Sequence, residues 1–333
     1  MTLRATTIDF KPGERNVFFH ILTACNLACR HCYINREQHG TATLSLATIN
    51  RWLRLFFAPG KENNLIFLGG EPTLHEDLAE AVHEARRIGY RSVTIDSNGY
   101  LFHDILHRIR PEEAVLSFSL DGPTPEVNDP IRGEGVFTVC TANIRAAVAL
   151  GFSTSVIYTV SSRNIDHLHA MPQLLRQLGV KRFFIQVIGL RGKSAATGTE
   201  LQLSHDQWLR VVPEAARRAA ELGLTVIYPK VFLDRNEPFH CAGNVAENYF
   251  IFPNGRVYQC PLCEDYPINA YVIDGEQLVA AGGINERQLF SLSIPEGCVM
   301  HRLLQHDNIP YDDAGIPLYR ISCCLLKNRI APE

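Results

Sequence analysis

VFFHILTACNLACRHCY, residues 17–33, sets a short apolar run directly against three cysteines. Val17 to Leu22 is too short for a helix of its own and reads as a buried strand. Cys25, Cys29 and Cys32 then fall within eight positions on the loop that leaves this strand. Working outward, the alternation repeats. LIFLGG (65–70), SVTIDS (92–97), AVLSFSL (114–120), STSVIYTV (153–160) and RFFIQVIGL (182–190) read as strands. Helical spacing lies between them at about 45–57, 76–88, 101–109, 137–149 and 165–178. Six strands joined through helices imply a parallel sheet with right-handed crossovers. The expected class is therefore α/β, a partial (β/α)6 TIM-like barrel over 17–227, preceded by an N-terminal extension at 1–16.

RGKSAATGTELQL (191–203) reads as a loop or lid, followed by a helix at 206–221 and a strand at 224–228. From about Tyr228 the alternation stops, and NYFIFPNGRVYQC (248–260) reads as a hairpin turning at Pro253-Asn254-Gly255. A smaller, cysteine-rich domain is expected over 228–333.

Composition bounds the function. At 333 residues, 46% hydrophobic and 20% charged, the chain is neither disordered nor fibrous. Lys+Arg 32 against Asp+Glu 35 gives a net charge of −3, no footprint for nucleic acid. Asp9, Lys11 and Glu14 interrupt any signal-like apolar core, and no apolar run approaches the roughly 18 residues that span a bilayer. No membrane partner is expected. Ten cysteines, mostly in tight clusters without a leader, read as metal ligands in a reducing compartment, and the expected location is the cytoplasm. Cys140, alone on a helical pattern, reads as core.

In α/β barrels the loops at the carboxyl ends of the strands build active sites. Three thiolates on one such loop can hold three irons of a cubane and leave the fourth open to a small molecule. A zinc knuckle or buried thiols would also suit the residues. With its C-x3-C-x2-C spacing and the following Tyr33, the loop resembles the signature of the radical S-adenosylmethionine (SAM) enzymes. The resemblance implies a [4Fe-4S] cluster on Cys25, Cys29 and Cys32, completed by the amino and carboxylate groups of SAM.

Gly69-Gly70-Glu71-Pro72 resembles the family's GGE motif, which implies that this backbone and carboxylate hold the SAM amino group. The chemistry agrees, since glycines allow close approach and a carboxylate accepts hydrogen bonds from an ammonium. Ser97-Asn98, and Ser119 with Asp121, lie at strand ends where the family meets the ribose or the substrate. Cap and turn roles fit them equally. Asp129-Pro130-Ile131-Arg132-Gly133 resembles the D-x-x-R-G stretch of the peptide-modifying and sulfatase-maturing branch, implying Arg132 near the SAM carboxylate. Gln186 and Ile188, at the end of the sixth strand, would lie against the adenine, although core packing also suits Ile188. The implied reaction is transfer of one electron from the reduced cluster into SAM, giving methionine and a 5′-deoxyadenosyl radical that takes hydrogen from a C–H bond. The implied electron donor is a low-potential protein of the flavodoxin or ferredoxin type.

Cys241 is followed by thirteen residues, Gly255, four residues and Cys260. This spacing resembles the opening of the SPASM and Twitch auxiliary-cluster domains. A full SPASM domain continues with C-x2-C-x5-C-x3-C and a further Cys, whereas only Cys263, Cys298, Cys323 and Cys324 remain here. The expectation is one auxiliary cluster, of the [4Fe-4S] type, on Cys241, Cys260, Cys263 and one of Cys323-Cys324, with Cys298 close behind. A structural zinc site is the alternative. The vicinal pair itself reads as a ligand with a bystander, a soft site for a thiophilic substrate such as arsenic(III), or a redox dithiol.

The expected function is hydrogen abstraction from a small-molecule substrate. Three alternatives stand beside it: maturation of a peptide or protein side chain, transfer of a SAM-derived group to a thiophile, and a non-enzymatic zinc protein. Against the first alternative, only 24 residues precede Cys25, where peptide maturases often carry a leader-binding domain.

Overall fold

Along Thr154–Val160 buried and half-buried side chains alternate, so one face packs on a core while the other stays partly open. Glu62–Leu68 and Ser92–Ser97 repeat the pattern, burying Leu65, Phe67, Val93 and Ile95. Intervening helices cover that face. Helix Leu46–Phe56, capped by Ser45, turns Trp52, Leu53 and Phe56 inward, and the Trp52 ring meets Phe19 at 5.9 Å. Each such large buried side chain stabilises the fold by roughly 1.5–3 kcal/mol.

The computed structural model describes residues 2–102, 104–304 and 308–333. In chain order the strands are β1 (Leu3–Ile8), β2 (Glu14–His20), β3 (Glu62–Leu68), β4 (Ser92–Ser97), β5 (Val115–Ser119), β6 (Thr154–Val160), β7 (Arg182–Val187) and β8 (Thr225–Pro229). There follow β9 (Phe232–Leu233), β10 (Glu247–Ile251), β11 (Arg256–Tyr258), β12 (Tyr271–Asp274), β13 (Gln277–Ala280), β14 (Arg320–Ile321) and β15 (Lys327–Pro332).

Strands β2 to β8 pair in sequence order and all in parallel, the arrangement of a partial TIM-like barrel. The run β2 to β8 holds one more strand than the six expected, because Thr225 of β8 takes its place in register against Arg182 of β7. Three helical expectations change, since 191–203, read as a loop or lid, holds a short helix Lys193–Thr197 and a 3₁₀ turn Gly198–Leu201. The helix expected at 101–109 is a single turn, Ile105–Arg108: Asp104 stands in the left-handed region at φ 59°, and Pro111 bars the way onward. His103 lies outside the described residues. Conversely, Pro125–Arg132 forms an unexpected helix whose prolines and asparagine masked its periodicity; Pro125 sits in its first turn, where a missing N–H costs nothing.

The segments flanking the barrel join the same sheet. β15 lies antiparallel against β8, and β1, from the N-terminal extension, pairs in turn with β15, Leu3 opposite Pro332. At the other edge β10 runs parallel to β2, Glu247 opposite Arg15 and Ile251 opposite Phe19, and β11 to β13 continue outward. The result is one thirteen-stranded sheet, with β9 and β14 as a separate pair. The hairpin expected at Pro253-Asn254-Gly255 is β10 and β11, and Gly255 turns at φ +82°. A second, smaller core of Phe250, Phe252, Tyr258, Leu262, Cys263 and Met300 lies in this C-terminal part. Among the described residues no helix is long and apolar enough to cross a membrane.

Candidate active site

The cysteine loop leaves β2 at its carboxyl end and is rooted by backbone. Gly70 N donates to Leu22 O (3.1 Å) and Glu71 N to Ala24 O (2.9 Å). A Cβ at Gly70 would stand 2.2 Å from Ala24 O, so only glycine lets the two chains approach this closely. Glu71 is 1% exposed. Its Oε1 accepts from Thr73 N and Thr73 Oγ1, and its Oε2 from Asn98 N at 2.7 Å. Burial nevertheless pushes its carboxyl pKa up. The Ser97 side chain also hydrogen-bonds this carboxylate, so Thr73, Ser97 and Asn98 together occupy its roughly four acceptor positions. Pro72 is buried at the head of a 3₁₀ turn.

Asn98 reaches into the same loop. Its Nδ2 donates to Asn26 Oδ1 at 2.9 Å and lies 3.7 Å from Cys25 Sγ, which also accepts from Leu27 N at 3.4 Å. Ser97 Oγ accepts from Gly99 N and shapes the turn. Ser119 is half-buried, and its carbonyl faces the thiol of the fully buried Cys140 at 3.9 Å.

Asp121 is fully buried. Its Oδ1 accepts from Thr159 N, and its Oδ2 lies 2.7 Å from Arg132 Nε and 3.0 Å from His31 Nε2. Burial alone would raise its pKa, but Arg132 and His31 outweigh it and hold the carboxyl at about 2. The Asp121 carboxylate is thus engaged by Arg132 and His31. Arg132 places its carbonyl 3.7 Å from Cys29 Sγ, and Ile131 O accepts from Arg30 N. Asp129 accepts from Gly135 N and Phe137 N, capping the next helix. Ile188 is buried and, with His31, Thr159, Ser161 and Ile131, lines a cavity of about 40 Å³; Gln186 is half-buried on β7 and does not line it. Tyr33 turns away from this cavity: its Oη sits 2.7 Å from His20 Nε2 and Arg191 covers its ring at 4.9 Å.

In the C-terminal part six thiols gather. Cys260, Cys263, Cys298 and Cys324 border the second core, while Cys241 lies within electrostatic reach of Cys323 and Cys260. Cys298 belongs to the group as fully as the vicinal pair, feeling Cys260, Cys323 and Cys241. Glu286, wholly buried, accepts from Gln259 N (2.6 Å), Cys260 N (3.0 Å) and Ala270 N (3.1 Å), pinning the Cys260 turn. The thiol hydrogen bond from Cys324 holds the Cys323 thiol below its usual value, and the half-buried Lys327 beside the pair acts in the same sense.

The segment leaving β7 ties both thiol groups together. Lys193 N donates to Cys32 O, Gly192 N to Asp265 Oδ2, and Arg191 Nη1 to Pro261 O and Glu264 (2.6 and 2.5 Å). Arg191, Glu264, Glu286 and His20 were not singled out by sequence. The acidic pair directly after Cys263 was the available signal.

The donor chemistry fits iron–sulfur clusters. Burial pushes the Cys25 thiol up to about 11 and Cys241 to about 12, so the bare chain keeps them protonated until a metal displaces the protons. His31 Nδ1 and Asn26 Nδ2 are buried without hydrogen-bond partners, leaving polar atoms for a ligand beside the first loop. Among the described residues no three His, Cys, Asp or Glu side chains converge on a single ion. A cubane spreads its thiolates around a larger body and does not need that convergence.

Comparison with known proteins agrees with this geometry. Residues 20–175 match the Radical SAM superfamily. An AdoMet-dependent heme synthase of Oleidesulfovibrio alaskensis is 28% identical over 60% of this chain and 52% of its own. The antilisterial bacteriocin subtilosin biosynthesis protein AlbA of Bacillus subtilis is 25% identical over 75% of this chain and 56% of its own. The chain thus spans about half the length of the curated relatives it matches. Streptococcus suis SuiB, solved bound to S-adenosylmethionine, shares the fold with a TM-score of 0.65 over 80% of this chain and 63% of its own, at 15% identity. The superfamily implies a [4Fe-4S] cluster and SAM as cofactors. Residues 20–175, a little under half of the chain, are thus similar to the radical SAM superfamily of enzymes.

Proposed function

We propose that Cys25, Cys29 and Cys32 hold a [4Fe-4S] cluster at which SAM is reductively cleaved, and that the enzyme takes hydrogen from a small-molecule substrate. The observation that carries this reading is the meeting of three motif segments at the ends of β2, β3 and β4: the cysteine loop, Gly70-Glu71 bonded to its root, and Asn98 bonded to its first cysteine. When bound, the cluster supplies the electron that splits SAM into methionine and the hydrogen-abstracting 5′-deoxyadenosyl radical. The chain's own residues do the rest. Glu71, held by Thr73, Ser97 and Asn98, would accept from the SAM ammonium in place of one of these donors. Asn98 Nδ2 and Leu27 N supply hydrogen bonds to the first ligand, Cys25, which tune a bound cluster. His31, held by Asp121, and Ile188 wall the cavity where the nucleoside half would lie, out of water.

Residues 17–227 serve as the SAM-cleaving barrel and 228–333 as the auxiliary part, whose six thiols offer more than enough ligands for one further iron–sulfur cluster. A low-potential flavodoxin- or ferredoxin-type donor in the cytoplasm would supply the electron. A second reading, modification of a peptide side chain, is favoured by the bacteriocin-biosynthesis relative, which aligns over 75% of this chain.

The test is anaerobic reconstitution. The parent is expected to carry more than the about four irons of one cubane and to release 5′-deoxyadenosine on reduction. Cys25→Ala must lose that release; if it persists, the assignment of the first loop fails. Cys241→Ala should lose iron and keep the release, and unchanged iron would refute the auxiliary site.

A further inference from the structure

Strands β3, β4, β6 and β7 bury one set of side chains under the helices and leave the other set half-buried, facing the inside of the barrel. Solvent therefore reaches the inner face. Asp96 stands on it near the carboxyl end of β4, in register with Ser117 of β5 and, beyond that, Ser155 of β6. Lys327 enters from the other side. It lies opposite Pro229, the last residue of β8, while Ile330 of the same strand turns the other way into the core. Its Nζ stands 5.0 Å from the ring centroid of Phe184, an inner-face residue of β7.

Neither charge meets its opposite among the described residues. Asp96 accepts from the Ser117 hydroxyl, and the charge that it feels, Glu71, is of its own sign. Desolvation pushes its carboxyl up to about 7. Lys327 Nζ donates to Cys324 O at 2.8 Å, and no carboxylate acts on it. Folded chains pair the charges that they withdraw from water, so two left open on one accessible face mark a binding site. Each end is also placed. Tyr33, directly after Cys32, feels the Asp96 charge, while Lys327 touches the backbone of Cys324. From β4 to Phe184 of β7 is three strand spacings of about 4.8 Å, so about 14 Å along the sheet and less across its concave side.

We propose that the inner face binds a dipolar substrate, its ammonium on Asp96 and its carboxylate on Lys327, with the linking chain laid over Ser155, Ile157 and Phe184. Both contacts are charge-assisted hydrogen bonds, the stronger kind. An α-amino acid carries its two charges on one carbon and cannot touch both residues. The class is therefore an ω-amino acid or a short peptide with free termini, which present the same two charges at the same reach. The inference rests on the hydrogen-abstracting reading above and names the substrate class for it.

Equilibrium dialysis of the anaerobic holoenzyme with SAM present and no reductant, read by mass spectrometry, decides it. The probes are 8-aminooctanoate and triglycine, whose end charges are equally far apart, with octylamine, octanoate and alanine as references. 8-Aminooctanoate should be retained about tenfold more than octylamine or octanoate, the weight of one charge-assisted hydrogen bond. Asp96→Asn should erase its advantage over octanoate, and Lys327→Met its advantage over octylamine. Stronger retention of triglycine supports a peptide source, and stronger 8-aminooctanoate an ω-amino acid. Equal retention of dipolar and singly charged probes, alanine held as well as either, unchanged preferences in both variants, or displacement by added SAM would each overturn the proposal. If a variant does not fold, the ranking of probes on the parent still decides. Dialysis needs no SAM cleavage, so retention without 5′-deoxyadenosine release on reduction would sink the reaction and spare the site.

Discussion

At Gly70 a methyl group would land 2.2 Å from Ala24 O and 2.5 Å from Thr23 O. Both are backbone atoms at the root of the cysteine loop, so no flexible side chain can give way. Gly70→Ala must move the loop itself. The expected result is a loss of about 1–3 kcal/mol, typical of over-packing, seen as a lower Tm together with impaired SAM cleavage. A variant with the parent's Tm would show that the loop yields freely. Asn98 and Asp121 carry the complementary lesson. Both were legible as short polar residues at strand ends, but their bonding to Asn26, His31 and Arg132 was not. Asn26 and His31 lie far off in sequence and meet these residues only through the parallel stacking of strands, while Arg132 arrives at the end of the unexpected helix Pro125–Arg132.

Among the elements, the β10–β11 turn docks through a stack of rings. Phe252 lies between His20 (4.1 Å) and His39 (3.8 Å), which belong to β2 and to the turn Arg36–His39. Burial keeps both imidazoles neutral, His39 down to about 3 and His20 also lowered. The sign follows from linkage. Unfolded histidine takes a proton near 6.5, before the folded form does, so stability is full above about 6.5 and falls as pH drops toward 3. Each histidine adds about 1.4 kcal/mol per pH unit to that slope. Urea midpoints at pH 7, 6 and 5 should fall for the parent, and His39→Gln should flatten the fall by about one proton's worth; an unchanged slope would discard the stack as a titrating element. The strands themselves were legible because each pairs apolar alternation with a turn. The helix Pro125–Arg132 was not, since its prolines and asparagine carry loop signals even where the first turn tolerates them.

The whole molecule unites what the sequence suggested were separable parts. The shift in composition near Tyr228 is real, yet β10 pairs with β2 over five residues and β15 with β8 over four. Composition reports which residues a segment uses; it is silent on which edge its strands will find. A sheet continuous through both junctions should unfold cooperatively. Far-ultraviolet dichroism and iron–sulfur absorbance are expected to change together in one transition. Two separated transitions would mean that residues 228–333 fold independently. The same continuity sets a length. With both thiol groups mounted on one plate and bridged by Arg191, their separation is fixed by strand spacing rather than by any hinge. Two paramagnetic centres held there would form a molecular ruler, with a dipolar coupling set by the sheet and constant from one state of the enzyme to the next.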